Sequence, residues 1–260
     1  MNNEQNQFYT SISKYYSEIF PYQPVQLQFV KNRVGELAGK NMLDIGCATG
    51  ELAFQMAKAG AKVTGIDLNI DLLNQAIGSS GIRSADSLKR ESESAQLNLY
   101  FQTGNMLDLE IDFQSAEFNS VLCFGNTLVH LQTSELMLQM LKGVYSVLRS
   151  GGPFLLQILN YDYIFNEHVS ELPVIETENI RFVRKYRFEE SNPIIRFQTE
   201  LTIKKENKAI LNETMLFAIK STELIELLEN TGFVEIDLFS NFKQEPFGGK
   251  HLPIVVSCRK

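Results

Sequence analysis

The 260-residue sequence predicts an α/β protein: a doubly wound, mostly parallel sheet of seven strands carrying an antiparallel β insertion. Three observations predict it. From Met42 onward, short apolar runs alternate with amphipathic stretches, the pattern of strands joined by covering helices. The first run, Met42–Ile45, stops at Gly46, and an amphipathic stretch begins just after Gly50. Beyond Asn160 the rhythm changes to period two, as in antiparallel strands with one buried face.

Residues 1–36 are punctuated by Phe8, Tyr9, Tyr15, Tyr16, Phe20, Tyr22 and Phe29, and read as one or two helices over a site or a core. Met42–Ile45 is a buried strand. Glu51–Ala59 is a helix striped by Leu52, Met56 and Ala59 and ended by Gly60. Ala61–Ile66 is the second strand. Asp71–Ile77 opens a helix that runs into the polar stretch Gly78–Gln96, a loop or a frayed helix by composition. Leu97–Phe101 and Ser120–Phe124 are the third and fourth strands. Ser134–Leu148 is helical through Leu138, Leu141, Val144, Tyr145 and Leu148, and Gly151-Gly152 turns into a fifth strand, Phe154–Leu159. Ile180–Phe188 and Ile194–Ile203 alternate at period two, with Met215–Ile219 a third candidate strand. A helix at Thr222–Asn230, ended by Gly232, and strands Phe233–Phe239 and Ile254–Cys258 complete the main sheet. The organisation expected is therefore a helical lid at 1–36, a core of 37–160 and 220–260, and a β-rich insertion at 161–219.

Composition narrows the function. No run of 18 or more apolar residues appears, so no membrane helix is expected, and the N-terminus has neither the basic start nor the apolar centre of a secretory signal. A net charge of −7 argues against broad nucleic-acid binding, which needs a basic face. Cys47, Cys123 and Cys258 read as reduced buried thiols of a cytoplasmic protein. With His130, His168 and His251 equally scattered, no metal-ligand spacing can be built.

The glycine loop carries the functional signal. A strand–loop–helix aims backbone N–H groups and a helix N-terminus at a ligand lying outside the carboxyl ends of the strands. A dinucleotide loop wants a second glycine where Ala48 stands, so that the backbone can approach a pyrophosphate. Asp44, before the loop, would repel a phosphate but suits a cation. Asp67, at the end of the next strand, can take both hydroxyls of a ribose. A nucleoside with a cationic, non-phosphate tail satisfies both acids, and S-adenosylmethionine is such a molecule.

LDIGCATG followed by VTGIDLN resembles motif I and its acidic successor in the class I S-adenosylmethionine-dependent methyltransferases. That resemblance implies the Rossmann-like methyltransferase fold, S-adenosyl-L-methionine as cofactor and S-adenosyl-L-homocysteine as product. It implies cofactor contacts at Asp44, Gly46, Cys47, Ala48 and Gly50, and at Asp67 with Leu68. Thr103–Asp108 is similar to the family's adenine loop, with Asn105 meeting the amino group and Met106 holding the ring, although an acid is commoner where Asn105 stands. Asp108 reads as a turn residue. Phe124, Gly125 and Asn126 resemble the motif bordering the methionine half of the cofactor. CFGNTLVHL, LRSGG and NYDYI, in that order, look like the glycine and glycine/sarcosine N-methyltransferases, from about Tyr9 to Tyr163. Carried over, Asn160 and Tyr161 border the acceptor and Tyr16 approaches the methionine end. Leu159 stands where the glycine enzymes place a substrate-binding arginine, which argues against glycine as acceptor.

Several residues have two readings. His130 is either a packed or capping histidine or a member of the active site. Tyr9 and Tyr16 either form a lid over the pocket or pack helices. In the basic strand Arg181–Phe188, period two places Phe182, Arg184, Tyr186 and Phe188 on one face. Arg184 there either receives an anionic acceptor or faces water beside Glu189, Glu190 or Glu200. Methyl transfer from a sulfonium is an in-line displacement in which the protein supplies alignment and desolvation. An amine needs little base catalysis, whereas a phenol or alcohol needs a base, for which His130, Tyr161 and His251 are the candidates. A small-molecule acceptor, most simply an amine nitrogen, is expected. The competing readings are an RNA or protein methyltransferase and a binding protein without turnover, and oligomeric state is not legible.

Overall fold

The computed structural model describes residues 3–79, 97–188 and 192–260. The polar stretch 78–96 therefore lies outside the described residues, except Gly78 and Ser79, which end a helix; Glu189 and Glu190 lie outside as well.

A seven-stranded sheet is built from β1 (Asn41–Ile45), β2 (Lys62–Asp67), β3 (Leu99–Thr103), β4 (Ser120–Cys123), β5 (Pro153–Leu159), β10 (Val234–Phe239) and β11 (Pro253–Arg259). Its order is β10-β11-β5-β4-β1-β2-β3. All neighbours pair in parallel except β11, which runs against both β5 and β10. The chain winds outward from β1 to β3 and then returns to place β4 on the other side of β1. The crevice at that reversal, between the tips of β1 and β4, is where such a sheet binds ligands.

Side-chain alternation explains why these short segments pair. Met42, Val63, Leu122, Leu155 and Val255 bury one face; Leu43, Ile66, Val121, Leu156 and Val256 bury the other. Because both faces are covered, the strands read as continuous apolar runs. Helices α3 (Pro24–Val34) and α4 (Glu51–Lys58) cover the first face through Phe29, Ala53 and Met56. Helices α7 (Ser134–Val147) and α9 (Ser221–Thr231) cover the second through Met137, Leu141, Leu224 and Leu228. In α4 the buried stripe is Ala53, Met56 and Ala57, one step from the expected Leu52 and Ala59, which are half-buried. In α7, Leu138 and Tyr145 likewise sit at the edge of the buried face.

The insertion is a four-stranded antiparallel sheet, β6 (Glu171–Glu176), β7 (Ile180–Arg187), β8 (Ile194–Ile203) and β9 (Lys208–Phe217), in that order. β7 and β8 match the expectation. The third strand runs Lys208–Phe217 rather than Met215–Ile219, and β6 is an addition. The N-terminal segment forms α1 (Asn3–Ile12), a 3₁₀ turn at Ser13–Tyr15, α2 (Tyr16–Ile19) and α3, more elements than the one or two expected. Phe8, Ile12 and Ile19 pack on Ile180, Phe182 and Leu201, so this segment docks on the insertion sheet. No helix among the described residues is long and apolar enough to cross a membrane.

Candidate functional site

A cleft of about 560 Å³, part of it open to solvent, lies at the tips of β1, β2 and β4 beneath the N-terminal segment. Among the residues expected at a site, Tyr9, Tyr16, Gly46, Ala48, Asp67, Leu68, Met106, Gly125 and His130 line it. Asn6, Asn69, Gly104 and Thr127 line it too and were not singled out.

The loop after β1 is shaped by steric limits. Gly46 has φ 71°, and a Cβ there would stand 2.6 Å from the side chain of Thr127, so only glycine closes the turn. Ala48 adopts φ 49°, uncommon for a residue with a Cβ, and its N–H donates to Asp67 Oδ2 at 2.9 Å. The strained turn thus joins the first acidic strand to the second. Gly50, at φ 73°, stands away from the cleft: a Cβ would fall 2.4 Å from the Phe101 ring, so this glycine serves the packing of α4.

Two carboxylates meet at this end. Asp67 accepts from the backbone N–H groups of Ala48 at 2.9 Å and Asn69 at 2.8 Å, one on each oxygen. Burial raises its pKa, and these backbone donors oppose that rise. Asp44 is 4 % exposed and does not itself line the cleft, although its chain neighbours Ile45 and Gly46 do. Burial first, and the Asp67 charge second, push its pKa up to about 7. Two buried acids in mutual repulsion suit a ligand with a cationic group near Asp44 and hydroxyls near Asp67. They do not suit a pyrophosphate.

The N-terminal segment closes over this end. Asn69 donates to Asn6 Oδ1 at 2.8 Å and to Thr10 Oγ1 at 2.9 Å, while its own Oδ1 caps α5 (Ile70–Ser79) through Leu72 N–H. Gln75 donates to the Ser13 carbonyl, and Ser17 to Thr49 Oγ1. Tyr9 and Tyr16 are partly buried, with phenol pKa values raised chiefly by burial; nearby charges, Asp67 among them, add to the rise.

His130 is 6 % exposed and shares a hydrogen bond of 2.8 Å with Tyr9 through Nε2. Gln5 Nε2 donates to the His130 carbonyl at 2.9 Å. Burial lowers the imidazole pKa to about 4, so the ring is neutral near pH 7.

Other expected site residues stand outside the cleft. The Phe124 ring packs 5.0 Å from Phe242 and 6.4 Å from Phe29 in the core, so it does not face the cleft. Cys47 is buried behind the loop, and Asn105 turns its side chain back on Leu107 N–H at 3.1 Å. Asp108 N–H donates to the Asn105 carbonyl and the residue precedes a short helix, α6 (Leu109–Asp112), as a turn residue. Asn126 bridges to β5: its Oδ1 accepts from Leu159 N–H at 2.9 Å and its Nδ2 donates to the Tyr161 hydroxyl at 3.2 Å. Asn160 caps α8 (Tyr161–Asn166) through Tyr163 N–H and donates to the His251 carbonyl, so both ends of its amide are engaged. His251 itself is held in its loop by Pro253 O and Gly248 N–H. Arg184 lies on the inner face of β7, and its Nη2 donates to the Pro173 carbonyl at 2.7 Å. Arg181 and Lys185 face outward and pair with Glu176 and Glu171.

Asn69 had a readable signal, an amide at the N-cap of a helix directly after an acidic strand tip. Thr127 could be read only from the space it fills against Gly46, and Asn6 had no signal in the sequence.

A family model described as a methyltransferase domain matches residues 36–215. The chain is 28 % identical over 140 residues to ubiquinone biosynthesis O-methyltransferase of Coxiella burnetii (strain Dugway 5J108-111), covering 54 % of this chain and 52 % of that one. It is 30 % identical over 131 residues to glycine N-methyltransferase of Rattus norvegicus, covering 48 % and 42 %. The chain thus spans about half the length of these curated relatives. A solved S-adenosylmethionine-dependent methyltransferase from Clostridium acetobutylicum ATCC 824 superposes with TM-score 0.76 at 15 % identity, covering 97 % of this chain and 98 % of that one, which establishes the shared fold.

Proposed function

The chain belongs to the methyltransferase-domain family and uses S-adenosylmethionine, and from that premise we propose that it methylates a small-molecule acceptor at an amine nitrogen. The observation that carries the choice of nitrogen is the state of His130. A general base works best with a pKa near the working pH. Burial holds this imidazole at about 4 and Tyr9 occupies its Nε2, so it is a weak proton acceptor. A phenol or alcohol would go without a base here. An amine needs none once solvent has taken its proton. The Coxiella relative is named for an oxygen acceptor and the rat relative for a nitrogen acceptor, so similarity alone leaves the atom open.

When bound, the cofactor supplies a methyl group activated on a cationic sulfur. Asp67 offers the free lone pairs of both oxygens to the ribose hydroxyls. Asp44 balances the positive charge of the methionine portion. The loop Gly46–Ala48 and Gly125 offer backbone at close range, Leu68 and Met106 offer apolar contact to the base, and Tyr16 faces the methionine end. Tyr9, fixed by His130, aligns the acceptor and excludes water, and Tyr161, fully buried and held by Asn126, backs the cleft wall rather than lining it. In this reading residues 1–36 are the lid, 37–160 and 220–260 bind the cofactor, and 161–219 select the acceptor.

The test is to supply S-adenosylmethionine with matched amines, phenols and alcohols and to measure S-adenosylhomocysteine. Turnover with amines whose rate rises with pH as the amine deprotonates supports the proposal. Preferred turnover of phenols would reject it.

A further inference from the structure

The inner face of the insertion sheet carries three buried side-chain atoms with no hydrogen-bond partner among the described residues, Arg184 Nε, Thr199 Oγ1 and Thr214 Oγ1, while the Tyr186 hydroxyl interacts with that of Tyr161. Buried polar groups are nearly always paired, so each such atom asks for an explanation. Register brings them together. Arg184 stands opposite Thr199 across β7 and β8, Tyr186 opposite Phe197, and Phe197 opposite Thr214 on β9. Side chains directly opposite are about 5 Å apart at Cβ.

Arg184 differs from the other cations of its strand. Arg181 and Lys185 have carboxylate partners, whereas among the described residues Arg184 has none. It is half-buried, and burial lowers its pKa. A half-buried guanidinium with no carboxylate beside it among the described residues keeps donors for an arriving anion.

No residue of the insertion sheet lines the cleft itself, and the patch connects to the cleft wall through Tyr161 and Asn126. The Tyr186 ring lies 6.5 Å from the Tyr161 ring, whose hydroxyl is held by Asn126 next to Gly125 on the cleft wall. On the other side of Arg184, Phe182 meets Phe20 of the N-terminal segment edge-on at 6.1 Å.

We propose that Arg184 and Thr199 form a subsite for an acid group of the acceptor, which is an amine bearing a carboxylate or phosphate. This rests on the amine reading above. Nε–H and an Nη–H of the guanidinium form the two-pronged donor that fits two oxygens of one acid, and the Thr199 hydroxyl opposite it supplies a further donor. Arg184 lies one pleat repeat from Tyr186, about 7 Å along the strand, so a spacer of several bonds separates the acid from the methylated nitrogen.

The test uses the full chain saturated with S-adenosylhomocysteine and titrated separately with butyrate, inorganic phosphate and butylamine, followed by calorimetry and thermal midpoint. The expected result is binding of butyrate or phosphate, weakened at least tenfold in Arg184→Gln, with S-adenosylhomocysteine affinity unchanged as the control for folding. Which anion binds decides between a carboxylate and a phosphate. If Arg184→Gln does not fold, Arg184→Lys and Thr199→Val carry the same comparison. Absence of anion binding to the wild type, or equal binding by wild type and variants, overturns the subsite. Comparing turnover of 4-aminobutyrate with butylamine separates the two proposals. No turnover of either while a matched phenol is methylated, with Arg184-dependent anion binding intact, rejects the amine reading and keeps the subsite. Equal turnover of both in wild type and Arg184→Gln keeps the amine reading and overturns the subsite.

Discussion

Tyr9 and His130, 121 positions apart, share a 2.8 Å hydrogen bond that ties the first helix to the 3₁₀ turn Leu128–His130 after β4. The bond joins the segment that covers the cleft to the strand tip that forms its wall. It also fixes the imidazole in a site where protonation is unfavourable.

That burial makes stability depend on pH in a direction that can be checked. His130 is neutral in the fold down to a pKa of about 4, whereas the unfolded imidazole titrates at 6.5. Below 6.5 the unfolded chain binds the extra proton, so stability falls as pH drops from 6.5 towards 4, by up to about 3 kcal/mol. Asp44 acts in the opposite sense over an overlapping range, so the comparison has to be between variants. Denaturant unfolding of His130→Gln against wild type at several pH values should show the gap narrowing as pH falls. A constant gap would contradict the assignment.

Asp44 should tune cofactor affinity. A cation binds best to the ionised carboxylate, and the pKa is about 7 without ligand. Affinity for S-adenosylmethionine should therefore tighten about eightfold between pH 6 and pH 7.5, following the ionised fraction. Calorimetry on Asp44→Asn should give weaker binding with that pH dependence removed.

Asp67→Asn should weaken S-adenosylhomocysteine by about tenfold or more, since hydrogen bonds to a charged group contribute about 1.5–3 kcal/mol. The amide keeps one acceptor oxygen, so one of the two N–H donors, of Ala48 or Asn69, loses its partner, and the affinity is measured on a variant whose thermal melt shows it folded. Unchanged affinity in the folded variant would remove Asp67 from the ribose.

Two glycines with nearly equal φ should respond differently to alanine. At Gly50, φ 73°, a Cβ meets the Phe101 ring at 2.4 Å and Ala76 at 2.9 Å, so Gly50→Ala should lose several kcal/mol and fold poorly. At Gly125, φ 75°, the nearest atom is 4.0 Å away, so Gly125→Ala should lose only the ~1 kcal/mol of a left-handed backbone. Its larger effect should be weaker cofactor binding, because the new methyl group fills cleft space. Thermal melts with and without S-adenosylhomocysteine separate the two outcomes.

The parts of this fold legible in the sequence are those where burial dictates composition. The central strands are apolar on both faces and could be read directly. So could the loop from Asp44 to Gly50 and Asp67, because steric and charge demands leave few residue choices there. Edge strands escaped. β6 shows only Leu172 fully buried, and β9 is half-exposed over its first five residues, so neither carries a full alternation. The roles of Phe124 and Asn160 were misplaced for a related reason. A motif fixes where the backbone runs, but the side chain of Phe124 turns into the core and that of Asn160 is taken by a helix cap. Arg184 could be placed on the inner face by period two, while its lack of a carboxylate partner among the described residues depends on how three strands align.

Helix α1 is pinned at both ends of its polar surface: Asn6 and Thr10 to Asn69 at the tip of β2, and Ser11 to Asn212 of the insertion sheet at 2.8 Å. We predict that a molecule as large as an adenosyl amino acid exchanges when this strap lifts, a motion of the microsecond-to-millisecond kind, and that escape of the spent nucleoside rather than the displacement sets the steady-state pace. Rapid-quench traces should accordingly show a first turnover faster than all later ones, and Asn69→Ala, which frees the strap, should shrink that difference.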